Sequence, residues 1–416
     1  VSMHTEIRIQ VPARQSLRIE NKYGDISIEN VEGEHDIENT SGEVLLERCG
    51  GSLRLDNSYA TAEIIDFTGA VSVENSSGAV YLMNIAGNTK VKNSYKSVEF
   101  RNIGGSLNID SQSGEVTGKG VSTNCIVTSS YKPIKVTDVG GELNVYGQSS
   151  AVTAANVRKD VTIETSYRAI KIDSVRGTLK IISQSSPVSV TNVKQDASIR
   201  TSYKPIRVEN IGGKLDIDGS SCPVSIRNVK NDVLIRSSYK DIVVEQVGGS
   251  LEINGSSSTV SVSDIGGEVS VITSYKPIQA ENVGGKLEID GSSCSVLADN
   301  IGGDVFVRNS YKYVILKRTS GSIVVRGDSS PIEVTDITKL PAESRIELVT
   351  TYKPITLALP ENADVTVSAQ TQYGKIRTDF PVYLTDEDDK DIKIELGQGR
   401  TFVRLETSKD ITIRKE

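Results

Sequence analysis

Apolar residues recur along this chain in columns spaced by 18 residues. Ile134, Val152, Ile170, Val188, Ile206, Val224, Ile242, Val260, Ile278 and Val296 occupy one. Two residues later, Val136, Ala154, Ile172, Val190, Val208, Ile226, Val244, Val262 and Ala280 form the next. Three more are exemplified by Val139/Val157/Val175/Val193/Ile211, Leu143/Val161/Leu179/Ala197/Leu215 and Val145/Ile163/Ile181/Ile199/Ile217. Within a unit, "PIRVEN" and "KLDID" alternate apolar and polar residues, the mark of two short strands with one buried face each. Such a unit leaves its backbone edges unpaired until the next unit stacks on it in parallel, about 4.8 Å away.

The predicted fold is therefore all-β: a right-handed parallel β-helix (β-solenoid) of 18-residue coils with two short strands each. A left-handed hexapeptide helix also fits a multiple of six, but the apolar columns do not fall at intervals of six. Right-handed winding follows the usual hand of parallel crossovers. A second period lies over the first. Tyr23, Tyr59, Tyr95, Tyr131, Tyr167, Tyr203, Tyr239, Tyr275 and Tyr311 stand 36 residues apart, so coils pair into 36-residue repeats. The register runs from about Ile19 to Ile337, roughly 18 coils and on the order of 100 Å. Residues 1–18 are expected to be an N-terminal capping segment, with "EIRIQV" (6–11) as the cap. Residues 19–337 are the regular solenoid, and 338–416 irregular coils and a cap after Pro360, all in one continuous domain.

The turns have columns of their own. Asn84, Asn102, Asn156, Asn192, Asn210, Asn228, Asn282 and Asn300 share one position, with Asp66, Asp138, Asp264 and Asp336 replacing Asn there. Stacked amides bond coil to coil in a ladder. The Gly-Gly pairs that follow, such as Gly104/Gly105, Gly140/Gly141 and Gly248/Gly249, are expected at positive φ where the chain reverses. They do not form a phosphate loop, because no helix follows them.

"NSSGAV", "TSGEV", "NKYGDISIENVEG" and "TQYGKI", with Gly and a charged residue ahead of Val or Ile at each strand opening, resemble the bacterial adhesin-repeat domains called Toastrack. The closing "ELGQGRTFVRLETSKDITIRKE" is similar to the usual end of that family. The resemblance spans nearly the whole chain, although the central coils carry Tyr-Lys-Pro, as at Tyr203, Lys204 and Pro205, where the family has Asn-Gly-Asp. It implies a right-handed β-helix in the bacterial envelope or outside it, and it brings no catalytic residues and no cofactor.

A net charge of −7 with 24% charged residues gives no basic field for nucleic acid. No apolar run is long enough for a transmembrane segment, and no signal-like segment follows Val1, so any leader is expected to be absent from this chain. His4 and His35 are the two histidines. Asp216, Asp218, Glu252, Glu288 and Asp290 are the candidate acidic face of a polysaccharide-processing β-helix enzyme. Against that, the outward column Arg200, Asp218, Arg236, Asn254, Ile272, Asp290, Arg308 partly alternates in sign, which predicts cross-strand ion pairs. The acidic run "TDEDDKD" (385–391) lacks the order of a calcium loop. Cys49 and Cys125 fall in inward columns. Cys222 and Cys294 share a turn column four coils apart, roughly 19 Å, so all four thiols are expected to be free.

The candidate site is the edge carrying Tyr95, Lys96, Tyr131, Lys132, Tyr167, Arg168, Tyr203, Lys204, Tyr239, Lys240, Tyr275, Lys276, Tyr311 and Lys312. Two readings stand side by side. The rings fill the end of a flattened core by lying over small Ser corners such as Ser149, Ser185, Ser221, Ser257 and Ser293 of the adjacent coils. Alternatively, with their cations, they form a linear track for an anionic glycan or an envelope protein. The expected function is a non-enzymatic envelope or extracellular scaffold, adhesin-like, at the cell surface or in the periplasm. A polysaccharide-processing enzyme and an envelope assembly or stress-sensing module are the alternatives.

Overall fold

The computed structural model describes residues 6–384 and 390–416. Among them every regular element is a strand. The chain divides into two compact units, Val1–Gln195 and Asp196–Glu416. Each is a β-solenoid of parallel coils, and between them they hold about 18 turns.

In the first unit the columns pair as the 18-residue step requires: Ile134 with Val152, Val152 with Ile170, and, in the opposite sheet, Leu143 with Val161 and Val161 with Leu179. The second repeats the scheme, with Ile206 on Val224, Val224 on Ile242, Leu215 on Val233 and Val233 on Leu251. These residues are almost wholly buried. The core of each unit is thus a set of aliphatic stacks, and each coil buries its apolar face only against its neighbours.

One corner of the coil is set by the asparagine column. In the first unit every member from Asn30 to Asn192 has a positive φ of 53–78°, including Arg48, Gly120 and Ser174. In the second the same holds from Asn210 to Asp336, at 48–61°. The left-handed conformation favours Asn, Asp and Gly, which is why they dominate here. The predicted ladder is present: Asn84 Nδ2 donates to Asp66 (2.8 Å), Asn102 to Asn84 (2.8 Å), Asn282 to Asp264 (2.8 Å) and Asn300 to Asn282 (2.8 Å).

The glycine expectation is corrected. Positive φ sits at the asparagine column, and the pairs Gly104/Gly105, Gly140/Gly141 and Gly248/Gly249 have none. Those glycines answer to close backbone approach. A Cβ on Gly140 would lie 2.2 Å from the Ser122 carbonyl oxygen, and one on Gly248 2.3 Å from that of Lys230.

The N-terminal end departs from the sequence reading. Residues 6–11 are exposed and form no strand, with Ile7 and Ile9 at 80% and 77% exposure, so "EIRIQV" does not cap the first coil. The cause is register. Stepping back 18 residues from inward Ile28 reaches Gln10, and from Ile26 reaches Arg8, so Ile7 and Ile9 would face away from the core. At the other end the coils do not stack in chain order. The closing strands Thr401–Thr407 and Ile411–Lys415 insert between neighbours that precede them in sequence. Thr401–Thr407 pairs in parallel with both Arg345–Thr350 and Val365–Thr371. Val365–Thr371 in turn pairs antiparallel with Asp391–Leu396, which ends the parallel stack.

Candidate functional site: the tyrosine corner

The corner opposite the asparagine ladder alternates between two constructions. In one, seen at Thr201–Lys204, a hydroxyl or amide residue points inward and Tyr and Lys point out. Thr165, Thr201, Ser237, Thr273 and Asn309 are the inward residues and are buried. In the next coil the inward position is Gly, as at Gly147, Gly219, Gly255, Gly291 and Gly327, and the third residue on turns in to take the space. Ser150, Cys222, Ser258, Cys294 and Ser330 are those residues, each 0% exposed. Glycine makes room for that residue: a Cβ on Gly219 would lie 3.2 Å from Cys222 Cβ, and one on Gly327 2.9 Å from Ser330 Cβ. Gln184's coil departs from this, with Ser183 and Ser186 hydroxyls bonded to each other, and so do the coils of Asn39, Asn75 and Ser111, where the inward residue is not Gly.

The two constructions lock together. Ser237 Oγ accepts from Cys222 N (3.2 Å) and donates to the Cys222 carbonyl (3.0 Å). Thr273 does the same for Ser258, and Asn309 for Cys294. From Ser129 onward this alternation of filler follows the 36-residue period, while in the earlier coils Asn39, Asn57, Asn75, Asn93 and Ser111 are all buried inward residues.

The tyrosines take no part in it. Their exposure runs from 60% at Tyr167 to 81% at Tyr23, so the core-filling reading is corrected: these rings stand outside. In the first unit the Tyr131 and Tyr167 hydroxyls reach Gln148 (3.4 Å) and Gln184 (3.3 Å) on the following coil. In the second unit the corresponding residues are Ser220, Ser256, Ser292 and Asp328.

The corner itself is strained. Tyr131, Tyr167, Tyr203, Tyr239, Tyr275 and Tyr311 all have φ between 61° and 72°. A bulky side chain is unusual in that region and costs about 1–3 kcal/mol. The alternate coils hold Ser185, Ser221, Ser257, Ser293 and Ser329 in the same conformation, at 53–60°. From Ser185 to Ser329 the corner residue is left-handed in every coil, and serine meets that demand in alternate coils, whereas Tyr59, Tyr95 and Ser149 hold the same corner without a positive φ.

Register extends the column beyond the sequence-level set. Ser310 pairs with Asp328 and Gly327 with Thr350, so Tyr352 follows Tyr311 two coils on, with Ser329 between. Val349 pairs with Glu406 and Thr371 with Thr407, which places Lys409 and then Tyr373 next in line. Tyr352 and Tyr373 are 61% and 72% exposed. "TYKPI" at 351–355 carries the same tripeptide as Tyr203–Pro205 and was the available signal. A five-residue insertion before it hides the spacing.

The cations are exposed as well: Lys96, Lys132 and Arg168 in the first unit, Lys204, Lys240, Lys276, Lys312 and Lys353 in the second. Among the described residues none of them is paired with a carboxylate, whereas several cations of the flat faces, such as Arg200, Lys214, Arg227, Arg236 and Arg308, are. Tyrosines recur every second coil, about 9.6 Å apart.

The carboxylate candidates are engaged elsewhere. Asp218 pairs with Arg200 (3.2 Å), Asp216 with Arg236 (3.3 Å), Asp290 with Arg308 (3.6 Å) and Glu288 with Lys286 (2.7 Å). Glu252 accepts from Asn254 (2.7 Å). The expected cross-strand pairing is present, and exposed pairs of this kind contribute about 0–1 kcal/mol each.

All four cysteines are free and buried. Burial pushes the Cys125 thiol up to about 12 and raises those of Cys222 and Cys294, which leaves none of these three as a ready nucleophile. His35 is buried, its ring edge-on to Phe67 at 6.3 Å. His4 and residues 385–389 of the acidic run lie outside the described residues. Among the described residues no cluster of His, Cys, Asp or Glu fits a metal ion, and no helix is long and apolar enough to cross a membrane. Shallow grooves of about 1010 Å³ in the first unit and 840 Å³ in the second follow the asparagine ladder.

No family model, curated protein or solved structure matches the chain.

Proposed function

We propose that this protein is a non-enzymatic, adhesin-like scaffold of the bacterial envelope or exterior, which holds a surface partner along its tyrosine corner. One observation carries the reading. In the second unit serine satisfies the corner in alternate coils at the same φ, yet Tyr stands there, exposed, in every other coil from Tyr203 to Tyr311. Strain kept where packing does not ask for it is a mark of a functional surface. The exposed, unpaired lysines beside the rings add charge that a partner can neutralise. The resemblance to Toastrack domains is consistent with an envelope or extracellular setting.

The polysaccharide-processing alternative has less support, because its candidate acidic face is tied up in ion pairs and hydrogen bonds. The test is to change Lys204, Lys240 and Lys276 to Ser together and to measure thermal unfolding and co-sedimentation with bacterial envelope fractions. The reading predicts unchanged unfolding with attachment lost. Unchanged attachment would remove its basis.

A further inference from the structure

The spacing and charge of the corner narrow the partner's chemistry. From Tyr203 to Tyr352 the second unit offers five exposed rings, each followed by an exposed lysine, at Lys204, Lys240, Lys276, Lys312 and Lys353. Rings two coils apart are separated by about 9.6 Å, which is the length of an extended β-linked disaccharide. Between them lie Ser221, Ser257, Ser293 and Ser329, half-buried and small. The apolar face of a sugar suits an exposed aromatic ring, so one sugar of each disaccharide can rest on a tyrosine while the other spans the small serine coil.

Charge density then separates the linear polymers. The corner presents one cation per two coils, against one phosphate per 3.4 Å along each strand of a nucleic acid duplex. Asp241 and Asp328 beside the line lower its positive charge further. A polymer with one negative charge per disaccharide meets one lysine per repeat without leaving charge unmatched.

Resting on the reading above, we infer that the tyrosine corner of the second unit binds a linear, β-linked anionic polysaccharide bearing one carboxylate per disaccharide, in register with the two-coil repeat. Successive disaccharides lie over successive Tyr-Ser coil pairs, and each carboxylate meets one of the five lysines. A stiff protein ladder orders few of its own groups on binding, so affinity accumulates with length.

The test uses the full chain and hyaluronan oligosaccharides of increasing length, with polygalacturonate, neutral dextran and single-stranded oligothymidylate as the other probes, followed by calorimetry. Affinity for hyaluronan should rise with each disaccharide and level off once the oligomer spans Lys204 to Lys353. It should fall at higher salt. Tyr239, Tyr275 and Tyr311 changed together to Ser should weaken binding at least about tenfold with unfolding unchanged. Equal affinity for polygalacturonate, with a carboxylate on every sugar, overturns the disaccharide register. Tighter binding of oligothymidylate assigns the corner to nucleic acid and overturns the inference. If hyaluronan fails to bind while the lysine variant still loses envelope attachment, the inference falls and the proposed function stands. If attachment is unaffected too, both fall.

Discussion

Individual residues in this protein answer to column rather than to local propensity. Ile206 is 0% exposed between its 18-residue neighbours, so Ile206→Asp places a charge in a stack with no partner for it. The expected loss is about 4 kcal/mol or more, read as a large drop in the thermal midpoint of the second unit. Asn282 makes a different demand. It sits at φ 56° and its amide bonds both Asp264 and Asn300. Asn282→Val removes two ladder bonds and forces a β-branched residue into the left-handed region, for about 2–4 kcal/mol in denaturant unfolding. Asn282→Gly keeps the conformation and should cost markedly less, which separates the backbone demand from the ladder. The columns were legible in the sequence because an 18-residue step repeats many times. The tyrosines' exposure was not, because a large ring beside a small serine fits core filling as well as projection. What decides between them is the inward Thr, Ser or Asn two residues before each Tyr, a signal present in "TSY" and "NSY" but readable only once the corner geometry is known.

At the scale of elements, the C-terminal coils were the least legible part. The sequence shows strands there, yet nothing local tells Thr401–Thr407 to pair between Arg345–Thr350 and Val365–Thr371. Pairing of this kind is settled by which edge stays open after earlier coils stack. It has a consequence for truncation. Removing residues 400–416 deletes the strands on which Val365–Thr371 and Ile376–Thr378 lean. Proteolysis should then reach 361–396, with an open parallel edge that promotes aggregation. A monodisperse, protease-resistant product would contradict the inserted arrangement.

The same region responds to acid. Asp364 is held below its usual range first by the Arg400 guanidinium, and by the Arg400 and Gln398 amides, and Asp410 first by the Lys375 amide, with Arg377 beside it. Each folded-state value is depressed, so the stability they lend is present above the unfolded carboxylate value of about 3.9 and is lost as pH falls through the lower folded value. Amide protection, corrected for the intrinsic slowing of exchange in acid, should therefore fall in 361–384 and 390–416 as pH drops below about 4, and Asp364→Asn should blunt that response.

Taken as a whole chain, the repeat has a true unit of two coils, and deletions test it. Joining Tyr275 to Lys312 by removing 276–311 leaves every corner correctly filled, and the product should unfold cooperatively with a modest loss of stability. Removing 276–293 joins Tyr275 to Cys294, so that Thr273 and Cys294 compete for one corner where the natural coil has Gly291 opposite Cys294. That shorter deletion should be the more destabilising of the two, despite removing half as many residues. Equal stability would mean that the 18-residue coil is the only structural unit. The coil was evident from hydrophobic periodicity alone. The two-coil unit was visible as a spacing, and the interlocked fillers that match it from Ser129 onward became clear only from the structure.

The most direct measurement is a paired one on a single variant, with Tyr203, Tyr239, Tyr275 and Tyr311 all changed to Ser, the residue that alternate coils already hold at the same φ. Thermal unfolding and co-sedimentation with bacterial envelope fractions are recorded side by side with the unaltered protein. An external binding corner predicts a midpoint equal to or slightly above the original, since four strained rings are relieved, together with loss of attachment. A lowered midpoint with attachment intact would make the tyrosines structural and contradict the account.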